Sequence, residues 1–143
     1  MSITIIVEGK NDRSKLRRLL NDDIRILCTF GTPNAAKLES LYIEAKHDEV
    51  YLFLDNDSSG RKIRALLSDL FPDAEHIYTR RGYAGVEGTP DEYAVQQLEK
   101  AGLDEFIQYP EPMLRPQQEA EHERRRTSSA DRTDRSGADP RSR

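Results

Sequence analysis

The apolar positions of this chain alternate between short unbroken runs and longer stripes with helical spacing. The runs predict four strands, at Ile3–Val7, Ile24–Phe30, Val50–Leu54 and Ala74–Thr79. Continuous apolar runs of this length are typical of strands buried on both faces of a parallel sheet. Between them, apolar residues at i, i+3 and i+4 predict helices, with caps at Asn11, at Ser58 or Ser59, and at Thr89, and one further helix after Asn34.

The order of these elements, β-α-β-α-β-α-β-α, predicts an α/β fold with three layers. Alternating strands and helices joined by short loops favour a mostly parallel four-stranded sheet with helices on both faces. A short last strand is expected at Phe106–Tyr109, before three prolines interrupt the chain.

Composition then divides the 143 residues into two parts. The average, 36% apolar and 34% charged, hides a segment from Gln117 to Arg143 whose only apolar residues are three alanines. Such a segment buries too little apolar surface to offset the entropy lost on ordering. We therefore predict one domain over residues 1–110 and a disordered, charged C-terminal tail over residues 111–143.

Charge and cysteine content exclude several classes of protein. The net charge of −4 gives no general attraction to nucleic acid, so local basic clusters have to supply any such binding. The single cysteine, Cys28, lies in an apolar run and is expected in the core, and one thiol excludes a cysteine-rich zinc site. No apolar stretch is long enough for a membrane span and the first residues do not resemble a signal peptide, so the predicted location is cytoplasmic, without a membrane partner.

Carboxylates follow two of the predicted strands. Glu8 comes directly after the first strand, and Asp55 and Asp57 follow the third. All strands of a parallel sheet end at one edge, so the three side chains can meet if the first and third strands are neighbours. Three carboxylates that close would repel one another, and a hard divalent cation such as Mg²⁺ relieves that repulsion.

Basic residues are expected on the same edge. They are Lys10, Arg13, Arg61, Lys62, Arg80 and Arg81. Cations around an acidic metal site suit a phosphodiester or polyphosphate substrate. Arg61, Lys62 and Arg64 could equally be ordinary solvated helix residues, with a phosphate contact less expected for Arg64. Glu87 could add a metal ligand, although a solvated acid is the simpler interpretation.

The motifs Val-Glu8-Gly-Lys-Asn-Asp on the first strand and Asp55-Asn-Asp57-Ser-Ser-Gly60 on the third resemble those of the Toprim domain superfamily. The resemblance runs from Ile3 to about Tyr109. It is strongest to small stand-alone bacterial Toprim proteins and to the Toprim part of the ribonuclease that matures ribosomal RNA, and it implies a Rossmann-like Toprim fold.

The same resemblance implies roles for individual residues. Glu8 would be the general acid/base and a possible third metal ligand, while Asp55 and Asp57 would hold Mg²⁺. Gly9 and Gly60 would let the backbone approach phosphate, and Lys10 would contact it. A nucleophilic tyrosine of the topoisomerase kind cannot be assigned; Tyr83 is the only candidate, and a structural or stacking role is expected for it.

Three functions follow as hypotheses. The first is a Mg²⁺-dependent enzyme acting on nucleic-acid phosphodiesters, a nuclease acting on RNA rather than DNA. The second is a non-catalytic Toprim module that binds nucleic acid or recruits a protein partner in nucleic-acid processing. The third is a protein that binds a nucleotide or polyphosphate. Haloacid-dehalogenase phosphatases and response-regulator receivers are disfavoured, because their further acids and lysine have no counterpart here.

Overall fold

Four strands and four helices alternate in the computed structural model, which describes residues 2–79 and 85–109. The strands are β1 (Ile3–Val7), β2 (Ile24–Cys28), β3 (Glu49–Leu54) and β4 (Glu75–Tyr78). The helices are α1 (Lys10–Leu19), α2 (Ala35–Ala45), α3 (Ser58–Leu70) and α4 (Asp91–Lys100), followed by a 3₁₀ turn at Asp104–Phe106. The predicted order of elements is therefore confirmed.

The strands form one parallel sheet in the order β2-β1-β3-β4. β1 lies between β2 and β3, with Ile6 opposite Leu27 on one side and opposite Leu52 on the other. The first and third strands are thus neighbours, the condition on which the predicted meeting of Glu8 with Asp55 depended. The predicted fold class, a parallel four-stranded α/β sheet, is confirmed.

Helices cover both faces of this sheet. On one face, Ile6, Leu52 and Leu54 pack in a single apolar cluster with side chains of α2 and α3, among them Leu41 and Ile63. Alternate strand positions point to the opposite face. There, Ile5, Val7 and Phe53 are fully buried as well, and α1 and α4 supply the other buried helical side chains. The apolar runs of the sequence are unbroken because both faces of these strands are buried.

The ends of the helices differ from the predictions at three caps. α1 begins at Lys10 with Gly9 at the cap, two residues earlier than the predicted Asn11 cap. α3 is capped by the carboxylate of Asp57 instead of a serine. α4 follows Pro90 at the cap, because the Thr89 hydroxyl donates a hydrogen bond to the Gly85 carbonyl and does not reach the helix.

The strand ends are also shorter than predicted. β2 stops at Cys28, and Phe30 has a positive φ of 56° that ends extended structure. The predicted last strand is reduced to one antiparallel bridge between Leu20 and Ile107 after the 3₁₀ turn. Cys28 is buried, as expected.

No helix in the described parts of the chain is long and apolar enough to cross a membrane. The predicted tail, residues 111–143, lies outside the described residues, so the predicted domain boundary stays a prediction.

Candidate functional site

Three acidic side chains gather where β1 and β3 end. Glu8 follows β1 directly, Asp55 follows β3, and Asp57 stands at the start of α3. The pKa of Glu8 is raised, first because burial disfavours its charged form and then because Asp55, Asp12 and Asp57 add negative charge. Glu8 is therefore within electrostatic reach of Asp55 and Asp57.

Asp55 is held in place by the segment that precedes α4. Its Oδ1 accepts a hydrogen bond of 2.8 Å from the backbone N–H of Val86. Gly85 lies against the same carboxylate, since a Cβ there would stand 2.5 Å from Oδ2. Gly85 also has a φ of +68°, so a glycine is required both for space and for backbone conformation. The Asp55 carboxylate is therefore fixed from a part of the chain 30 residues away.

Asp57 caps a helix in addition to its predicted role as a metal ligand. Its Oδ1 accepts a 2.7 Å hydrogen bond from the N–H of Gly60 and caps α3. Gly60 is buried beneath the same turn, and a Cβ there would lie 1.9 Å from the carbonyl oxygen of Asp55. The structure thus gives Gly60 a packing function, while its predicted approach to phosphate stays a prediction.

A fourth carboxylate, Asp12, was not singled out from the sequence. It is buried, and its Oδ2 accepts a 3.0 Å hydrogen bond from the N–H of Gly9. Burial raises its pKa, the N–H of Gly9 opposes that rise, and Asp55 and Glu87 raise it further. The available signal was its position, three residues after a glycine cap, where an acid bonds back to the cap N–H.

Whether these residues fit Mg²⁺ depends on their free oxygens. Within residues 2–79 and 85–109, no three histidine, cysteine, aspartate or glutamate side chains are arranged so that they could hold a metal ion. Asp55 and Asp57 each accept a hydrogen bond from a backbone N–H with one carboxylate oxygen. Mg²⁺ in phosphate-processing sites binds one or two carboxylates and keeps several waters, so this pair fits such an ion without a closed set of ligands.

The predicted basic residues lie close to the start of two helices at this edge. Lys10 opens α1, Arg61 and Lys62 follow the first turn of α3, and all three are exposed. Gly9 precedes α1, and a Cβ there would make only an ordinary contact with Asp12. Arg80, Arg81 and Tyr83 lie outside the described residues. The phosphate contacts of all these residues stay predictions.

The position of Arg64 in the structure differs from the one predicted from the sequence. It was expected to be a solvated helix residue or a weak candidate for phosphate binding, yet it is only 6% exposed. Its guanidinium donates to the carbonyls of Leu52 (3.2 Å) and Leu54 (3.0 Å) and lies 4.0 Å from the ring centre of Tyr78. Burial lowers its pKa, while Tyr78 and Asp55 raise it. Arg64 is thus a buried cation that binds the end of β3 just before Asp55.

Hydrogen bonds between elements position the rest of the edge. The Thr79 hydroxyl accepts a 3.0 Å hydrogen bond from the N–H of Asn56, which ties the turn after β3 to the end of β4. Asp91 of α4 forms ion pairs with Lys15 (3.0 Å) and Arg18 (2.8 Å) of α1. Its hydrogen bond with Arg18 is the main reason that the pKa of Asp91 falls to about 2. Two basic side chains of α1 are therefore partly neutralised by the neighbouring helix.

Several known proteins are similar to this chain in sequence or in structure. The Toprim domain family matches residues 3–83. The uncharacterized protein YusF of Bacillus subtilis is 38% identical over 100 residues, which make up 70% of this chain and 68% of YusF. The solved structure of a small Toprim domain protein from Bacillus stearothermophilus is 38% identical, with a TM-score of 0.68 over 76% of this chain and 90% of that one.

Ribonuclease M5 of several bacteria is also similar. The enzyme of Mycoplasma capricolum is 38% identical over 66 residues, or 46% of this chain and 37% of that protein. The enzyme of Ligilactobacillus salivarius is 34% identical over 94 residues, 58% of this chain and 49% of that protein. The chain spans less than half the length of these two relatives. Since the Toprim match covers more than half of the chain and the sheet carries both of its motifs, the chain belongs to the Toprim domain family.

Proposed function

We propose that this protein is a Mg²⁺-dependent nuclease that cleaves phosphodiester bonds of RNA. The observation that carries the proposal is the coupling of Glu8 to Asp55 and Asp57 at the carboxyl edge of two neighbouring strands. Exposed cations at the start of α1 and just after the first turn of α3 support a polyanionic substrate.

The roles of the residues follow from their surroundings. Asp55 and Asp57 would hold Mg²⁺ through the oxygens not used by Val86 and Gly60. When bound, the ion would stabilise the charge that develops on the phosphoryl oxygens. Lys10, Arg61 and Lys62 would bind the phosphates on either side of the scissile bond.

Glu8 would transfer a proton to or from an oxygen of the phosphodiester. A general acid/base works best when its pKa approaches the working pH. Burial and three nearby carboxylates move the pKa of Glu8 in that direction. Asp12 would act through Glu8 by adding negative charge beside it, without contact with the substrate.

RNA is preferred over DNA because of the relatives. Ribonuclease M5 from Mycoplasma capricolum and Ligilactobacillus salivarius matches this chain at 38% and 34% identity. These matches cover 37% and 49% of the two ribonucleases, so the substrate of the whole enzymes is carried over here as a proposal.

A cleavage assay tests the proposal. Purified protein is incubated with structured RNA, single-stranded RNA and the corresponding DNA, with Mg²⁺ or with EDTA. We expect Mg²⁺-dependent cleavage of RNA that falls at least a hundredfold in Asp55→Asn and Glu8→Gln. Asp69→Asn, an exposed acid at the far end of α3, is the matched control. Cleavage that survives EDTA or both substitutions would refute the proposal.

One observation favours a second candidate, a Toprim module that binds nucleic acid or a protein partner without turnover. Asp55 and Asp57 already serve backbone amides, and the described residues contain no closed ligand set for a metal. In that case the assay would show RNA binding in the presence of Mg²⁺ without any product.

A further inference from the structure

Phe30 presents an aromatic ring to solvent in a conformation that aromatic residues rarely adopt. It is 60% exposed, and its φ of 56° is the only positive φ of a non-glycine residue in the described parts of the chain. A residue with a Cβ loses free energy in this region, whereas glycine does not. Neither burial nor backbone geometry therefore accounts for a phenylalanine at this position.

The location of Phe30 connects it to the candidate active site. Its backbone N–H donates a 2.7 Å hydrogen bond to the carbonyl of Glu8. The loop after β2 is thereby attached to the residue proposed to transfer protons. Strain of this kind is found where a ring or a ligand group has to be placed in a particular position.

The side chain of Lys37 lies over the Phe30 ring. The Lys37 ammonium lies 5.2 Å from the centre of the Phe30 ring, and 60% of Phe30 stays accessible with the lysine in place. The backbone of Lys37 is fixed, because its N–H donates a 2.8 Å hydrogen bond to the Asn34 side chain at the start of α2. An exposed ring with a cation over one face is suited to a nucleobase on the other face, with its phosphate at the cation.

Helix α1 carries a groove lined mainly by basic residues. It has a volume of about 380 Å³ and is lined by Arg13, Ser14, Arg17 and Arg18 along one face of α1. Burial raises the pKa of the Cys28 thiol at the end of β2, and the charges of Arg13 and Lys37 both oppose that rise. Arg13 has no ion-pair partner among the described residues.

We propose that Phe30 stacks on an unpaired nucleobase next to the bond to be cleaved, while Lys37 and Arg13 bind the adjoining phosphates. This inference rests on the proposed function and specifies its substrate as single-stranded, or locally unpaired, at that position. A base inside a duplex already stacks on its neighbours and offers no free face to the ring.

Binding measurements in EDTA separate stacking from cleavage. Fluorescence anisotropy with labelled single-stranded RNA, the same RNA annealed to its complement, and single-stranded DNA gives the affinities. Phe30→Leu keeps the apolar side chain but removes the aromatic face, and Phe30→Tyr restores it. Ile43→Ala, which alters a side chain of α2 that is 63% exposed, is the matched control.

We expect Phe30→Leu to weaken binding of single-stranded RNA about tenfold, with duplex binding unchanged. Phe30→Tyr and Ile43→Ala should bind like the wild type. Equal single-strand affinity of Phe30→Leu and wild type, or an equal loss on duplex, would overturn the inference. If the wild type also cleaves RNA with Mg²⁺, only the inference has failed; if the wild type neither binds nor cleaves, the proposed function fails with it.

Discussion

The substitution Gly60→Ala tests whether helix propensity or tertiary packing decides the stability of the protein at the start of α3. Gly60 lies in the first turn of α3, where alanine favours a helix by roughly 1 kcal/mol relative to glycine. On propensity alone, the substitution should stabilise the protein. The structure predicts the opposite sign.

The magnitude follows from a contact between backbone and Cβ. The added Cβ would lie 1.9 Å from the carbonyl oxygen of Asp55 and 2.8 Å from its carbon. Carbon and oxygen atoms need a separation of about 3.3 Å, so the start of α3 and the end of β3 have to move apart by about 1.4 Å. No rotamer change relieves the clash, because both partners are backbone or fixed to it.

Two losses follow from that movement. Forcing extra volume into a packed site costs roughly 1–3 kcal/mol. The 2.7 Å bond between Asp57 and the Gly60 N–H is strained or lost, which costs about 0.5–2 kcal/mol more. After the gain in propensity, we expect a net destabilisation of roughly 0.5–4 kcal/mol.

Thermal unfolding followed by circular dichroism measures this effect. A change of 1 kcal/mol shifts the melting temperature by about 4–8 °C in a domain of about 100 residues, so Gly60→Ala should melt at least about 2 °C lower. Ser59→Ala is the control, since it raises propensity at a neighbouring exposed position. A Gly60→Ala protein as stable as the wild type, with an intact site, would refute the reasoning.

Three further predictions concern the charged groups. Arg64→Met should destabilise the fold by about 2–5 kcal/mol in urea unfolding, because strand carbonyls lose their buried donor; a loss below 1 kcal/mol would contradict this. The pKa of Asp91 is lowered to about 2, so its ion pairs stabilise the fold above pH ~4 and are lost as the pH falls towards 2. Asp91→Asn should therefore cost up to about 1 kcal/mol at pH 7 and progressively less as the pH falls through 2, and a pH-independent loss would exclude the ion pairs as its cause. Glu8 has a raised pKa, so its ionised form destabilises the metal-free fold as pH rises. Glu8→Gln should therefore raise the melting temperature at pH 7 in EDTA but not at pH 4. Equal shifts of the melting temperature at both pH values would argue against charge repulsion as the cause.

Much of the site could be predicted because its parts follow strands. The apolar runs before Glu8 and Asp55 place both residues at strand ends, and a parallel sheet brings such ends to one edge. The neighbouring positions of β1 and β3 were a condition of that prediction, which the strand order then met. The three shifted helix caps changed boundaries by one or two residues and left the site in place.

The residues that sequence reasoning misjudged depend on contacts between distant segments. Arg64 has the same local pattern as any exposed helical arginine, and only the packing of α3 on the sheet places it against the carbonyls of β3. Gly85 acquires its function from Asp55, which lies 30 positions earlier in the chain. The pKa of Asp12 depends on Glu87, which lies 75 positions later in the chain.

The amino-acid sequence by itself determined the α/β class, the order of the elements and the identity of the acids at the sheet edge. These properties follow from local periodicity, because side chains alternate along a strand and repeat every 3.6 residues along a helix. Only the tertiary structure decided which oxygens of Asp55 and Asp57 are already used, that Arg64 is buried, and that Phe30 stands exposed beside Glu8. The physical reason is that burial and hydrogen-bond partners depend on the three-dimensional contacts of each side chain, which local sequence spacing does not specify.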